Sequence, residues 1–275
     1  MIQDVWLRQH PYLGSLAAIH REVERAAAAT PIPAPPVPDF NDYTEDFAAG
    51  VPLLMSATSA AILKSAEPAV VALVDSLITK SLPEKLMAEC QALSANLHCD
   101  VREDAHAPHR AVAWLLTNEG FTPEHPGLLR YLGWIALARH LSPVVAAFTN
   151  WRDEDRWLRR YCPTCGSRPA MAQLVGNDPE RQRFLSCGCC GTHWRFQRTA
   201  CPFCENKDDR SLAVLSIEGE AGLRLDYCEH CDGYLKTYSG MGNEPLLLAD
   251  WTSLHLDILA RDRGLKRMAT SLYDL

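Results

Sequence analysis

Cys162-Pro-Thr-Cys165, Cys187-Gly-Cys-Cys190, Cys201-Pro-Phe-Cys204 and Cys228-Glu-His-Cys231 decide how this chain is read. With Cys189 they hold nine of its eleven cysteines. Twenty-one residues separate the first two pairs and twenty-three the last two. A thiolate binds soft or borderline ions, and two thiolates spaced C-x-x-C chelate one ion from a single tight turn. Two such turns complete a tetrahedron, and pairing neighbouring turns closes the shorter loops. The stretch therefore reads as two successive four-thiolate ribbons. Cys162, Cys165, Cys187 and Cys190 are the expected ligands of one ion, and Cys201, Cys204, Cys228 and Cys231 of a second. Iron and zinc both accept this donor set.

Each turn needs a residue that takes positive φ just past its second cysteine. Gly166, Gly191 and Gly233 lie at or near that place, with Asn206 standing in for the fourth. Pro163 and Pro202 stiffen the first turn of each ribbon. The inserts read as hairpins, with arms at 170–175 and 183–186 in the first ribbon and at 212–217 and 223–227 in the second. Such small sheets bury too little to fold alone, and a four-thiolate site supplies about 10–16 kcal/mol of apparent binding energy. Metal removal is expected to unfold them. Cys189 reads as a spare thiol beside the first site, open to ligand exchange with a neighbour. His230 reads as a non-ligand, since four cysteines already suffice.

The remainder of the chain is helical in pattern. One helix is expected over 1–29, with Leu13, Leu16, His20 and Val23 on one face. Prolines at 31, 33, 35, 36 and 38 then force an extended strap. Two helices are expected between Phe40 and Leu82, with Pro52 and Pro68 marking their starts. Another follows over 83–97, where Leu86, Cys90, Leu93 and Leu97 form a single apolar stripe and Cys90 is a core residue. Cys99, His106 and His109 suggest a further metal set. Pro108 interrupts the helix that would align the histidines, so the stretch reads as a polar loop. Helices are expected at 110–118, 126–141 and 143–160, the last with Val144, Phe148, Trp151 and Leu158 on one side. A final helix carries Leu247, Trp251, Leu254, Ile258 and Leu259, with Asp257 and Arg261 as a surface pair.

The expected class is α+β: an α-helical domain over 1–160, ribbons over 161–200 and 201–243, and a C-terminal helix and tail over 244–275. The longest apolar runs, 135–138 and 143–148, fall short of the roughly 20 residues that cross a bilayer. The start shows no export signal, and paired cysteines fit a reducing cytoplasm, where they hold metal more often than disulfides. Formal net charge is −7. From Cys162 to Gly240 nine basic residues face ten acidic ones. A phosphate-binding surface carries a basic excess, so a protein partner is favoured over nucleic acid. No Ser/His/Asp set, phosphate loop or dinucleotide fingerprint is present, and the chain reads as non-catalytic. Two rivals stand beside this reading. One is a zinc-ribbon nucleic-acid binder. The other is a thiol-disulfide oxidoreductase, which usually offers a single exposed C-x-x-C at a helix start rather than two symmetrical units.

Several motifs together resemble the formate dehydrogenase accessory proteins called FdhE. They are Cys162-Pro-Thr-Cys-Gly-Ser-Arg-Pro169, Arg183-Phe-Leu-Ser-Cys-Gly-Cys-Cys190, the stretch Trp194 to Cys201, Cys228-Glu-His-Cys-Asp-Gly-Tyr-Leu-Lys236, Ala249-Asp250 and Leu256-Asp257-Ile-Leu259. The likeness covers roughly 160–265, and Trp251 stands where a second aspartate is usual. The resemblance implies rubredoxin-like ribbons, which admit iron as well as zinc, and a cytoplasmic helper that binds the catalytic subunit of a formate dehydrogenase during maturation or in control of redox state.

Overall fold

The structure is a computed structural model, and residues 2–80, 82–98, 107–177, 180–220, 222–240 and 249–273 are described. The chain forms two compact units, one of His10–Trp151 and one of Met1–Gln9 with Arg152–Leu275.

The first unit is helical: α2 (Gly14–Ala29), α3 (Thr44–Ala49), α4 (Ala60–Ile78), α5 (Glu84–Leu97), α6 (Ala107–Thr117) and α7 (Pro126–Trp151), counting the chain's first helix, Ile2–Gln9, as α1. The helix expected over 1–29 is thus two. Pro11 opens a 3₁₀ turn, Pro11–Leu13, between α1 and α2. Pro31 to Asp39 forms neither helix nor strand, as five prolines dictate. Two prolines expected to start helices lie inside them, Pro68 in α4 and Pro143 in α7. Each costs a backbone hydrogen bond, ~3 kcal/mol in a helix interior. Buried side chains run across both positions: Ala66, Ala69, Val70 and Leu73 in α4, and Leu137, Leu141, Val144 and Phe148 in α7. That burial offsets the loss and keeps each helix whole. α7 is long and apolar enough by composition to cross a membrane, but ten of its residues form core instead. It ends at Trp151, so Leu158 leaves the expected stripe and is exposed. Cys90 is buried on α5 with Leu93 and Leu97.

In the ribbon unit, among the described residues, β1 (Met171–Val175), β2 (Gln182–Ser186), β3 (His193–Phe196), β4 (Leu212–Ser216), β5 (Leu223–Cys228), β6 (Gly233–Ser239) and β7 (Lys266–Arg267) form one sheet. Its order is β3-β2-β1-β6-β5-β4, with β7 against β6. Both expected hairpins are present, β1/β2 and β4/β5. The sequence did not show that they join: β1 pairs parallel to β6, Met171 opposite Lys236 through Leu174 opposite Ser239. One apolar cluster backs the second ribbon, made of Met171, Leu223, Leu225, Tyr234, Tyr238, Leu256 and Ala260. α8 (Leu254–Asp262) supplies the last two, so its buried face is Leu256, Asp257 and Ala260, while Ile258 is exposed. Leu247 of the expected stripe lies outside the described residues. α1 also belongs to this unit, where Trp6 donates its indole N–H to the Thr252 carbonyl at 3.1 Å.

Candidate metal centres

Tight turns bring the eight cysteines into two groups of four. Within each group the sulfurs all lie within 4.8 Å of one another: Cys162, Cys165, Cys187 and Cys190 in one, Cys201, Cys204, Cys228 and Cys231 in the other. The two groups repeat one backbone design. Cys162 N–H donates to Ser167 O, Cys187 N–H to Thr192 O and Cys201 N–H to Asn206 O, at 2.9, 2.9 and 2.8 Å. Gly166 N–H returns to Cys162 O at 2.9 Å and Glu205 N–H to Cys201 O at 3.0 Å. Cys187 Sγ accepts from Cys189 N–H and Cys201 Sγ from Phe203 N–H, both at 3.4 Å. Gly166 and Gly191 take the expected positive φ, 78° and 73°. In the second ribbon that role falls to Glu205 and Asp232, at 60° and 58°, rather than to Asn206 and Gly233. Gly233 serves by being small: a Cβ there would meet Met268 Cγ at 2.9 Å, Phe203 Cδ2 at 3.0 Å and Cys231 Sγ at 3.1 Å.

The donor set fits a tetrahedral ion. Metal–sulfur bonds of ~2.3 Å at tetrahedral angles place sulfurs ~3.8 Å apart. Cys162–Cys190 and Cys165–Cys187 are separated by 3.5 and 3.4 Å, Cys201–Cys231 and Cys204–Cys228 by 3.8 and 3.7 Å. As free thiols the first group shares its protons unevenly. Burial pushes Cys162 well up, and hydrogen bonding to Cys162 does the same for Cys187. Hydrogen bonds from Cys162, Cys187, Cys189 and Cys190 hold Cys165 well below the usual thiol value. An ion at the site must displace the remaining protons, so its binding there strengthens as pH rises. In the second group burial raises Cys201.

Other sequence candidates fall outside the groups. Cys189 is fully buried beside the first, and its hydrogen bond to Cys165 keeps its thiol well up. His230 is exposed. Cys99 and His106 lie outside the described residues. His109 sits on α6 with Nδ1 2.9 Å from Glu67 Oε1. Pro108 does not interrupt α6, because it lies in the first turn, where a missing N–H is harmless.

Three groups of residues escaped sequence reasoning. Arg160 donates to Phe203 O at 2.7 Å and Arg183 to Ala200 O at 3.1 Å, so two arginines from outside the second ribbon grip the turn that carries Cys201 and Cys204. In the linker Trp157 donates to Tyr161 O at 3.0 Å, while Trp194 of β3 donates to Arg159 O at 2.9 Å. Finally, a buried charge network ties the tail to the sheet. Lys236 Nζ lies 2.7 Å from Asp257 Oδ2 and 2.5 Å from Asp250 Oδ1. Arg267 reaches Asp257 at 2.6 Å and Asp250 at 2.9 Å, and Tyr234 donates to Asp257 at 2.7 Å. Asp257 is therefore buried and multiply bonded, not the surface partner of Arg261. Burial works against charge on Asp250, yet Lys236 and Arg267 hold its carboxyl below the usual range. Nothing local in the sequence signals Lys236 or the rest of the network.

Comparison with known proteins agrees with the resemblance read from the cysteine motifs. A family model described as the FdhE central domain matches residues 161–198. The FdhE homolog of Aquifex aeolicus is 31% identical over 134 residues, 46% of this chain and 47% of that protein. That of Pseudomonas putida is 38% identical over 120 residues, 40% of this chain and 37% of that protein. FdhE of Salmonella choleraesuis is 31% identical over 139 residues, 49% and 44% of the two chains. The chain thus matches less than half the length of each of these relatives. The crystal structure of the FdhE protein from Pseudomonas aeruginosa superposes with a TM-score of 0.66 over 95% of this chain and 88% of that one, at 23% identity. At that identity the likeness is one of fold.

Proposed function

We propose that this protein is a non-catalytic accessory factor in formate dehydrogenase maturation, and that it binds the catalytic subunit of such an enzyme in the cytoplasm. The observation that carries the reading is the pair of four-sulfur groups with tetrahedral spacing, set in one sheet, in a chain whose cysteine motifs are those of FdhE proteins. Each group holds one iron or zinc ion through its four cysteines. The ion neutralises thiolates that the fold crowds together and fixes the turns, which makes the ribbon unit a rigid platform for another protein. Iron would add a one-electron couple. Near-neutral charge over the ribbons favours a protein partner over a polyanion.

Affinity purification of the tagged protein from cells expressing a formate dehydrogenase tests the proposal. The catalytic subunit is expected to co-purify at moderate salt, and reproducible absence of any association overturns it.

A further inference from the structure

We infer that the two metal centres differ in access: the Cys201/Cys204/Cys228/Cys231 centre exchanges its ion with small chelating ligands, while the Cys162/Cys165/Cys187/Cys190 centre is closed. The inference rests on the metal reading of both groups.

All four cysteines of the first group are at most 5% exposed. Their surroundings are also packed and bonded. Thr192 Oγ1 lies 3.1 Å from Cys190 Sγ and 2.7 Å from Thr164 Oγ1, and both threonines are fully buried. Ser167 Oγ lies 3.3 Å from Cys165 Sγ. An incoming ligand has no path to this ion without local unfolding.

The second group is built otherwise. Cys204 and Cys231, one from each turn, are half-buried. A cavity of about 220 Å³ also has Cys201 and Cys228 in its lining. Arg183 and Arg224 also line it, and both face Asp226, at 3.7 and 2.8 Å.

Exchange is then ligand substitution at the ion. Each donor atom of the chelator replaces one thiolate, Cys204 and Cys231 first, and the freed thiolates take protons from water. The ion leaves with its charge unchanged. The grip of Arg160 on Phe203 O and of Arg183 on Ala200 O keeps the first turn in shape, so the site is ready to reload.

The test uses the full-length protein loaded with two zinc ions and challenged with excess EDTA, bound metal being measured over time. One equivalent is expected to leave about tenfold faster than the other or more, as separate local openings allow. Cys204→Ser removes the fast equivalent only. A brief pulse of N-ethylmaleimide on unaltered protein labels Cys204 and Cys231 before any first-group cysteine, a readout that holds even if the variant misfolds. Single-phase loss of both ions, or labelling of the first group at equal rate, overturns the inference with both centres still standing. A native protein that binds no metal overturns the metal reading itself, and this inference with it.

Discussion

Lys236 and Asp257 stand 21 residues apart in the chain and meet at 2.7 Å, both inside the ribbon unit. Lys236 is 1% exposed, on the central strand β6, and Asp257 lies on the inner face of α8. Asp250 and Arg267 complete a set of two acids and two bases whose charges cancel. A closed set of this kind fixes where the tail lies, because any other placement strands a charge.

Removing one member should therefore cost far more than an exposed pair would. Lys236→Met is expected to destabilise the ribbon unit by about 3–5 kcal/mol, since it leaves Asp250 and Asp257 facing only Arg267. Arg261→Met, on the same helix as Asp257, should cost under about 0.5 kcal/mol. Denaturant melts of the two variants check this, and equal, small losses would count against the network.

Gly233 is a test of packing beside the second centre. Gly233→Ala drives a methyl into Met268, Phe203 and Cys231 Sγ, and overpacking of that kind costs about 1–3 kcal/mol. At Gly191 an added Cβ meets open space, so Gly191→Ala should cost only the positive-φ penalty, about 1–2 kcal/mol. Metal titration of both variants should show weaker binding at the second centre for Gly233→Ala and an unaltered second centre for Gly191→Ala.

The helical unit should lose stability in mild acid. His140 is 2% exposed with Nε2 2.9 Å from Ser65 Oγ, and burial holds its pKa below 6.5. His20 is shifted down for the same reason, against the pull of Glu24. Above the unfolded value of about 6.5 both states are neutral and nothing is lost. As pH falls below it the unfolded chain takes the proton first, so stability drops, by up to about 1.4 kcal/mol per unit for each such group. Thermal melts at pH 7.5 and 5.5 should show the drop, and His140→Gln should reduce it.

What could be read in advance follows from the range of the interactions. A C-x-x-C turn is local, so spacing alone located eight sulfurs, and alternation over 170–186 and 212–227 located their hairpins. The parallel pairing of β1 with β6 spans some sixty residues and leaves no local trace. Lys236, Asp250, Asp257 and Arg267 look like any exposed charges until the fold brings them together. Asp257 in particular was paired with Arg261 by helical spacing, a rule that holds only for an exposed face. Pro68 and Pro143 were read as boundaries because propensity is local, whereas the burial that carries α4 and α7 past them is tertiary. For the ribbons, the shared sheet and its apolar cluster add burial that a local reading of two separate modules leaves out.

The central claim is that each four-cysteine group holds one ion. Metal analysis of anaerobically purified, untagged protein, combined with X-ray absorption at the metal edge, tests it most directly. The account predicts two iron or zinc ions per chain, each with four sulfur neighbours at about 2.3 Å. Protein that is folded yet carries no metal, or metal bound through nitrogen and oxygen, would contradict it.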